Sequence, residues 1–138
     1  MDRVDTLAQE LALLQDKGAR RIAILGSRHV PVVAIHLIEL IARSLAQKGH
    51  SLVTSGAQGV NAAVIRGVLA VDASKLTVLL PQSLSRQGPE IRDQLETVLH
   101  LIEKPEHDDL PLPMASSLCN QDIISRCDQL ICLAFHDS

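Results

Sequence analysis

Two short stretches carry residue types at a spacing suited to holding a phosphate. The first is Gly26-Ser27-Arg28, directly after the aliphatic run Arg21 to Leu25. The second is Ser55-Gly56-Ala57-Gln58-Gly59-Val60-Asn61, directly after Ser51 to Thr54. Each reads as a turn from a strand into a helix. Glycines in such turns let backbone N–H groups approach a phosphate, and the following helix N-terminus presents about half a positive charge. Ser27 and Ser55 add hydroxyl donors, and the Arg28 guanidinium can make a forked contact to phosphate oxygens. A glycine turn can also serve tight packing alone. Two of them together, one carrying Ser-Arg, point to an anion site.

Catalytic chemistry finds less support. The six histidines (His29, His36, His50, His100, His107 and His136) form no H-E-x-x-H or comparable metal spacing. His107-Asp108-Asp109 sits among prolines and reads as a solvated acidic loop. His36 falls on an apolar helical stretch and reads as an interface or core histidine. No G-x-S-x-G elbow or Cys–His pairing stands out. The three cysteines, Cys119, Cys127 and Cys132, form no C-x-x-C pair and read as small buried hydrophobes in a reducing compartment. No catalytic residue, metal or cofactor is expected.

The elements that position the two turns follow from periodicity. Residues 3 to 17, within an N-terminal helical stretch 1 to 18, place Val4, Leu7, Leu11 and Leu14 on one face, and Lys17-Gly18 is a stop signal. Strands are expected at 21–25, 51–54 and 76–80, a short one at 101–102, and a last one at 129–135. Helices are expected at 31–48, 60–71, 89–99 and 115–127, with Gly49 ending the first of these and residues 104–113 a proline-rich loop. Strands alternating with helices of this length imply right-handed βαβ crossovers and a parallel sheet. The fold expected is α/β, a Rossmann-like three-layer αβα domain with a mostly parallel sheet, whose ligands bind at the carboxyl ends of the strands. The chain ends directly after a strand, so a closing helix is expected beyond Ser138 in a longer protein. The 31–48 helix is apolar around most of its circumference, which suggests that part of it is a subunit interface in a homodimer.

Composition agrees with this architecture. Of the 138 residues 46% are hydrophobic, yet Phe135 is the sole aromatic. Leu, Ile, Val and Ala must fill the core, as suits strands buried on both faces. The length fits one domain. Lacking aromatic platforms, the chain is poorly equipped to hold single strands by base stacking, and its net charge of −3 is unlike that of a general nucleic-acid binder. No signal peptide or membrane span is evident, so the chain reads as soluble and cytoplasmic.

The motifs resemble a known family. Ile22-Ala23-Ile24-Leu25-Gly26-Ser27-Arg28 is similar to the opening I-A-I-V-G-S-R of the DNA-processing protein A (DprA, also Smf) family. Residues Thr54 to Leu69 resemble that family's S-G-x-A-x-G-I-D-A-A-x-H-R-G-A-L, and Asn120-Gln121-Asp122-Ile123-Ile124-Ser125 resembles its R-N-R-I-I-S segment. The resemblance covers about residues 20 to 135 in order. It implies an extended Rossmann fold that dimerises and binds single-stranded DNA while helping to load a RecA-type recombinase. It adds Asn61, Arg66 and Asn120 to a phosphate or nucleic-acid site otherwise made of Gly26, Ser27, Arg28, Ser55, Gly56, Gln58 and Gly59. The sequence departs from the pattern at three places. The second glycine loop is one residue shorter, its acidic position is Asn61, and the R-N-R triplet is Cys119-Asn120-Gln121. The glycine-rich P-G-G-x-G-T-x-x-E motif of nucleotide phosphoribohydrolases is not matched at Pro81-Gln82-Ser83. Three readings follow: a single-stranded DNA binder of recombination, a small-nucleotide module without DNA binding, or a scaffold for protein contacts.

Overall fold

The structure, a computed structural model, describes residues 19–135 together with Leu7. The helix expected over residues 3 to 17 lies, Leu7 apart, outside the described residues. Five strands, β1 (Arg21–Gly26), β2 (Ser51–Ser55), β3 (Leu76–Leu79), β4 (His100–Ile102) and β5 (Gln129–Leu133), pair in the order β4-β3-β2-β1-β5. Every pairing is parallel. Alternate side chains along a strand point to opposite faces, and both faces of β1 are filled. Ile22 and Ile24 join one core cluster with Ile38, Val64 and Val68, whereas Ala23 joins the other with Val53, Cys119 and Ile123.

Four helices connect the strands: α1 (Val32–Gln47), α2 (Val60–Leu69), α3 (Pro89–Leu95) and α4 (Leu112–Ser125). The chain steps from β1 to β4 in one direction. Right-handed crossovers therefore put α1, α2 and α3 on one face. It then reverses, and α4 crosses the opposite face to bring β5 beside β1. The expected three-layer arrangement holds, with the strand order reversing at β1, where such folds open a crevice.

Local chemistry explains where element ends differ from expectation. The Gly49 and His50 amides donate to Ala46 and Leu45 (3.0 and 3.1 Å), closing α1 in a Schellman arrangement. Helix α3 stops at Leu95, four residues early, as Val98 N–H turns back to the Leu95 carbonyl and the Thr97 hydroxyl to that of Gln94. Helix α4 begins at Leu112, inside the stretch expected to be loop. Pro111 caps it and Pro113 lies in its first turn, where a missing N–H costs no hydrogen bond. The last strand ends at Leu133, two residues early.

The expectation for the cysteines holds for one of three: Cys119 is buried, Cys127 is partly exposed and Cys132 is exposed. His36 is exposed on α1 rather than in the core. The outer face of α1 is apolar and open, with Val33 82% and Leu37 57% exposed.

One contact sets the two glycine turns against each other. The Val60 N–H, at the start of α2, donates to the Ser27 carbonyl at 3.0 Å. Gly59 makes this approach possible. Its backbone has φ +76° and ψ −124°, a region that side chains disfavour, and a Cβ there would run into the carbonyl oxygens of Ser27 and Arg28. Gly59→Ala is expected to destabilise the domain by about 1–3 kcal/mol, seen as a lower urea midpoint. A midpoint equal to that of the parent would contradict this account of the two turns.

Candidate nucleic-acid interface

The carboxyl ends of β1, β2, β3 and β5 open into two adjoining cavities. One, of about 290 Å³, lies between the β2 turn, the segment after β3 and the start of α4. The other, of about 560 Å³, lies at the reversal between β1 and β5, against α4. Arg28, Ser55, Ala57, Ser116 and Asn120 line both. The larger chamber has an apolar floor of Leu25, Ile124, Leu130 and Leu133. The smaller carries the amide side chains of Gln58, Gln82, Gln87 and Asn120.

The electrostatics of this cleft run against those of the chain. Acidic residues outnumber basic ones, 16 to 13, yet the described residues lining the two cavities include Arg28 and Arg86 and no carboxylate. Among the described residues, no acidic group lies within ion-pairing distance of Arg28. Its charge is therefore available to an incoming anion.

Of the residues expected from sequence, Gly26, Ser27, Arg28, Ser55, Gly56, Gln58, Asn61 and Asn120 line the cleft. Gly59 does not line it and instead locks the turns together. Arg66 also stands outside. It points from α2 to Glu39 of α1, with Nε 3.3 Å from the carboxylate. An arginine more than one turn into a helix whose N-terminus faces the cleft is carried away from it by the helical rise.

Several groups expected to donate to phosphate are already engaged. The Ser27 N–H donates to Leu133 (3.1 Å), extending the β1–β5 ladder, and the Gly56 N–H donates to Leu79 (3.3 Å). The Ser27 hydroxyl oxygen accepts the Phe135 N–H at 2.9 Å. A Cβ on Gly26 would press on Val60 at 2.7 Å, so this glycine serves packing. The Arg28, Ala57 and Gln58 amides remain without a partner among the described residues.

Asn61, like Ser55 and Gln82, is buried in the cleft, and it is 4% exposed. Its Nδ2 donates to the Ser55 hydroxyl oxygen at 2.7 Å, leaving the Ser55 proton free to turn towards a ligand. Its Oδ1 has no partner among the described residues, and a buried acceptor left unpaired is costly unless water or ligand reaches it.

Cys119, beside Asn120, is buried. Burial, with Asp122 nearby, pushes its thiol up to about 11, and the protonated sulfur points at the Leu79 carbonyl 3.5 Å away. His107-Asp108-Asp109 is not simply a solvated loop. The Asp108 carboxylate accepts the Ser83 N–H and hydroxyl, both at 2.8 Å, and these bonds hold it below the usual carboxylate range.

Sequence reasoning missed Arg86, Gln82, Gln87 and Ser116 as cleft residues. The first three lie on the segment after β3, which comes to the cleft through contacts with residues 102–110. Ser116 stands on α4 one turn before Asn120, and that spacing could have found it. No group of three or more metal-ligating side chains occurs among the described residues, and no described helix is long and apolar enough to cross a membrane.

Comparison with known proteins identifies the family and the fold. Residues 10–104, more than half of the chain, match the family model described as DNA recombination-mediator protein A. Among solved structures, the chain is similar to one reported under structural insights into the unique single-stranded DNA binding mode of DNA processing protein A from Helicobacter pylori. The TM-score is 0.70 at 25% identity, over 91% of this chain and 59% of that one. No curated protein matches it. With most of its length matched by that model and its fold that of this relative, the chain belongs to the DNA recombination-mediator protein A family.

Proposed function

We propose that this domain binds single-stranded DNA, with a phosphate seated where the β1 and β2 turns meet. The observation that carries the reading is a cleft that, among the described residues, holds no carboxylate and an Arg28 without an ion-pair partner, in a chain of net negative charge. Arg28 supplies the charged fork. Ser55, oriented by Asn61, supplies a hydroxyl donor, and Gln58 and Asn120 supply neutral ones. The Arg28, Ala57 and Gln58 amides and the first turn of α2, which no side chain caps, add backbone donors. Gly26 and Gly59 act indirectly, by letting the turns close up, and Gly56 by leaving room for the Leu80 side chain. The relative from Helicobacter pylori is reported to bind single-stranded DNA, which supports this choice of ligand. Work in recombination beside a RecA-type recombinase, in the cytoplasm, belongs to the same proposal.

A second reading has one observation of its own. The cavity of about 290 Å³ lined by amide side chains is of a size to hold part of one nucleotide, so a small nucleotide bound without DNA is the alternative. The near absence of aromatic side chains, which limits base stacking along a strand, points the same way.

A labelled oligothymidylate titrated at low and moderate salt separates the two readings. The expected result is micromolar or tighter binding that weakens as salt rises, and at least about tenfold weaker binding for Arg28→Ala, the loss of one charge-assisted contact. Absence of binding even at low salt, with a mononucleotide raising the thermal midpoint, would reverse the choice of ligand.

The homodimer rests on the outer face of α1, where Val32, Val33, Leu37 and Leu40 stand in solvent along one side of the helix. Light scattering is expected to give twice the chain mass, reduced to the monomer by Leu37→Glu. A monomer at every concentration would end that part of the proposal.

A further inference from the structure

The segment between β3 and α3 is tied down more firmly than a connection of its length requires. The Leu80 N–H donates to Ile102 (2.9 Å), the Lys104 N–H to the Gln82 carbonyl (3.3 Å), and Gln82 Nε2 to the His107 and Leu110 carbonyls (3.3 and 3.2 Å). The Leu84 N–H donates to a Glu103 carboxylate oxygen at 2.7 Å, and Ser83 gives both its donors to Asp108. Residues Leu84–Arg86 then turn in one 3-10 winding. This anchoring delivers Arg86 to the wall of the smaller cavity, which it shares with Arg28.

Resting on the DNA-binding reading, we propose that Arg86 is the second phosphate-binding cation of the cleft, gripping the strand at a phosphate other than the one held by Arg28. Its nearest carboxylate, Asp108, is 4.0 Å from Arg86 Nε and already accepts two hydrogen bonds from Ser83. The Arg86 side chain is about half exposed. Ion pairs of that kind contribute little, so a phosphate can take the guanidinium over without breaking the anchor. Lys104, which follows β4 at the same end of the sheet, is committed elsewhere: it pairs with Asp122 at 3.5 Å. The start of α4 contributes neutral residues to the cavity, Ser116, Cys119 and Asn120. Arg86 thus provides from the opposite wall the positive charge that this helix does not.

The test is the salt dependence of oligothymidylate binding by the whole chain, compared among the parent, Arg28→Ala, Arg86→Ala, Arg86→Lys and Arg92→Ala. Arg92 is exposed on α3 and outside the cleft. Each cation neutralising a single-strand phosphate contributes about 0.7 to the slope of log affinity against log salt. Arg86→Ala is expected to lower the slope by about that amount, Arg86→Lys to keep it, and Arg92→Ala to leave it unchanged. An unchanged slope for Arg86→Ala, or an equal fall for Arg92→Ala, overturns the role of Arg86 while Arg28-dependent binding still stands. No binding by the parent at low salt removes the DNA reading, and this inference with it.

Discussion

The hydrogen bond from the Val60 amide to the Ser27 carbonyl is the constraint on which the cleft depends. It joins the turn after β1 to the start of α2 and so fixes where Arg28 stands relative to Ser55 and Asn61. The bond needs the chain to enter α2 through a backbone conformation that only glycine adopts easily, with no Cβ facing the neighbouring turn. Gly26 makes room in turn for Val60. Gly26 and Gly59 thus bring the two turns together, while Gly56 leaves room for the Leu80 side chain.

Much of this order is written in the sequence. Short aliphatic runs separated by helical patterns announce a parallel sheet, and the turns after the first two strands must then share its carboxyl edge. That places Arg28, Ser55 and Asn61 together before any coordinates are known. Other features are not local. Arg66 stands in a motif-like position, yet the rise of α2 carries it to Glu39. Arg86 has no motif at all and reaches the cleft because Asp108, Glu103 and residues of the following loop hold its segment in place. The prolines at 111 and 113 look like loop signals but open α4, because the first turn of a helix needs no N–H there. Which donors are already engaged, such as the Ser27 and Gly56 amides, depends on strand pairing that periodicity does not specify.

Charge is distributed unevenly over the chain. An excess of acidic groups over the whole chain coexists with a cleft whose described lining has arginines and no carboxylates. The acidic side chains near its rim face other partners: Asp108 caps the Ser83 turn, and Asp122 holds Lys104 and Arg126. A site of this kind draws an anion by local field while the molecule as a whole stays mildly negative.

The most direct test of a phosphate seated where the turns meet is amide chemical-shift mapping of the isotope-labelled protein with a short oligothymidylate at low salt. The account requires the largest shifts at Arg28, Ala57, Gln58 and Asn61, with the outer face of α1 unaffected. Large shifts confined to other surfaces, with those four amides unmoved, would contradict it.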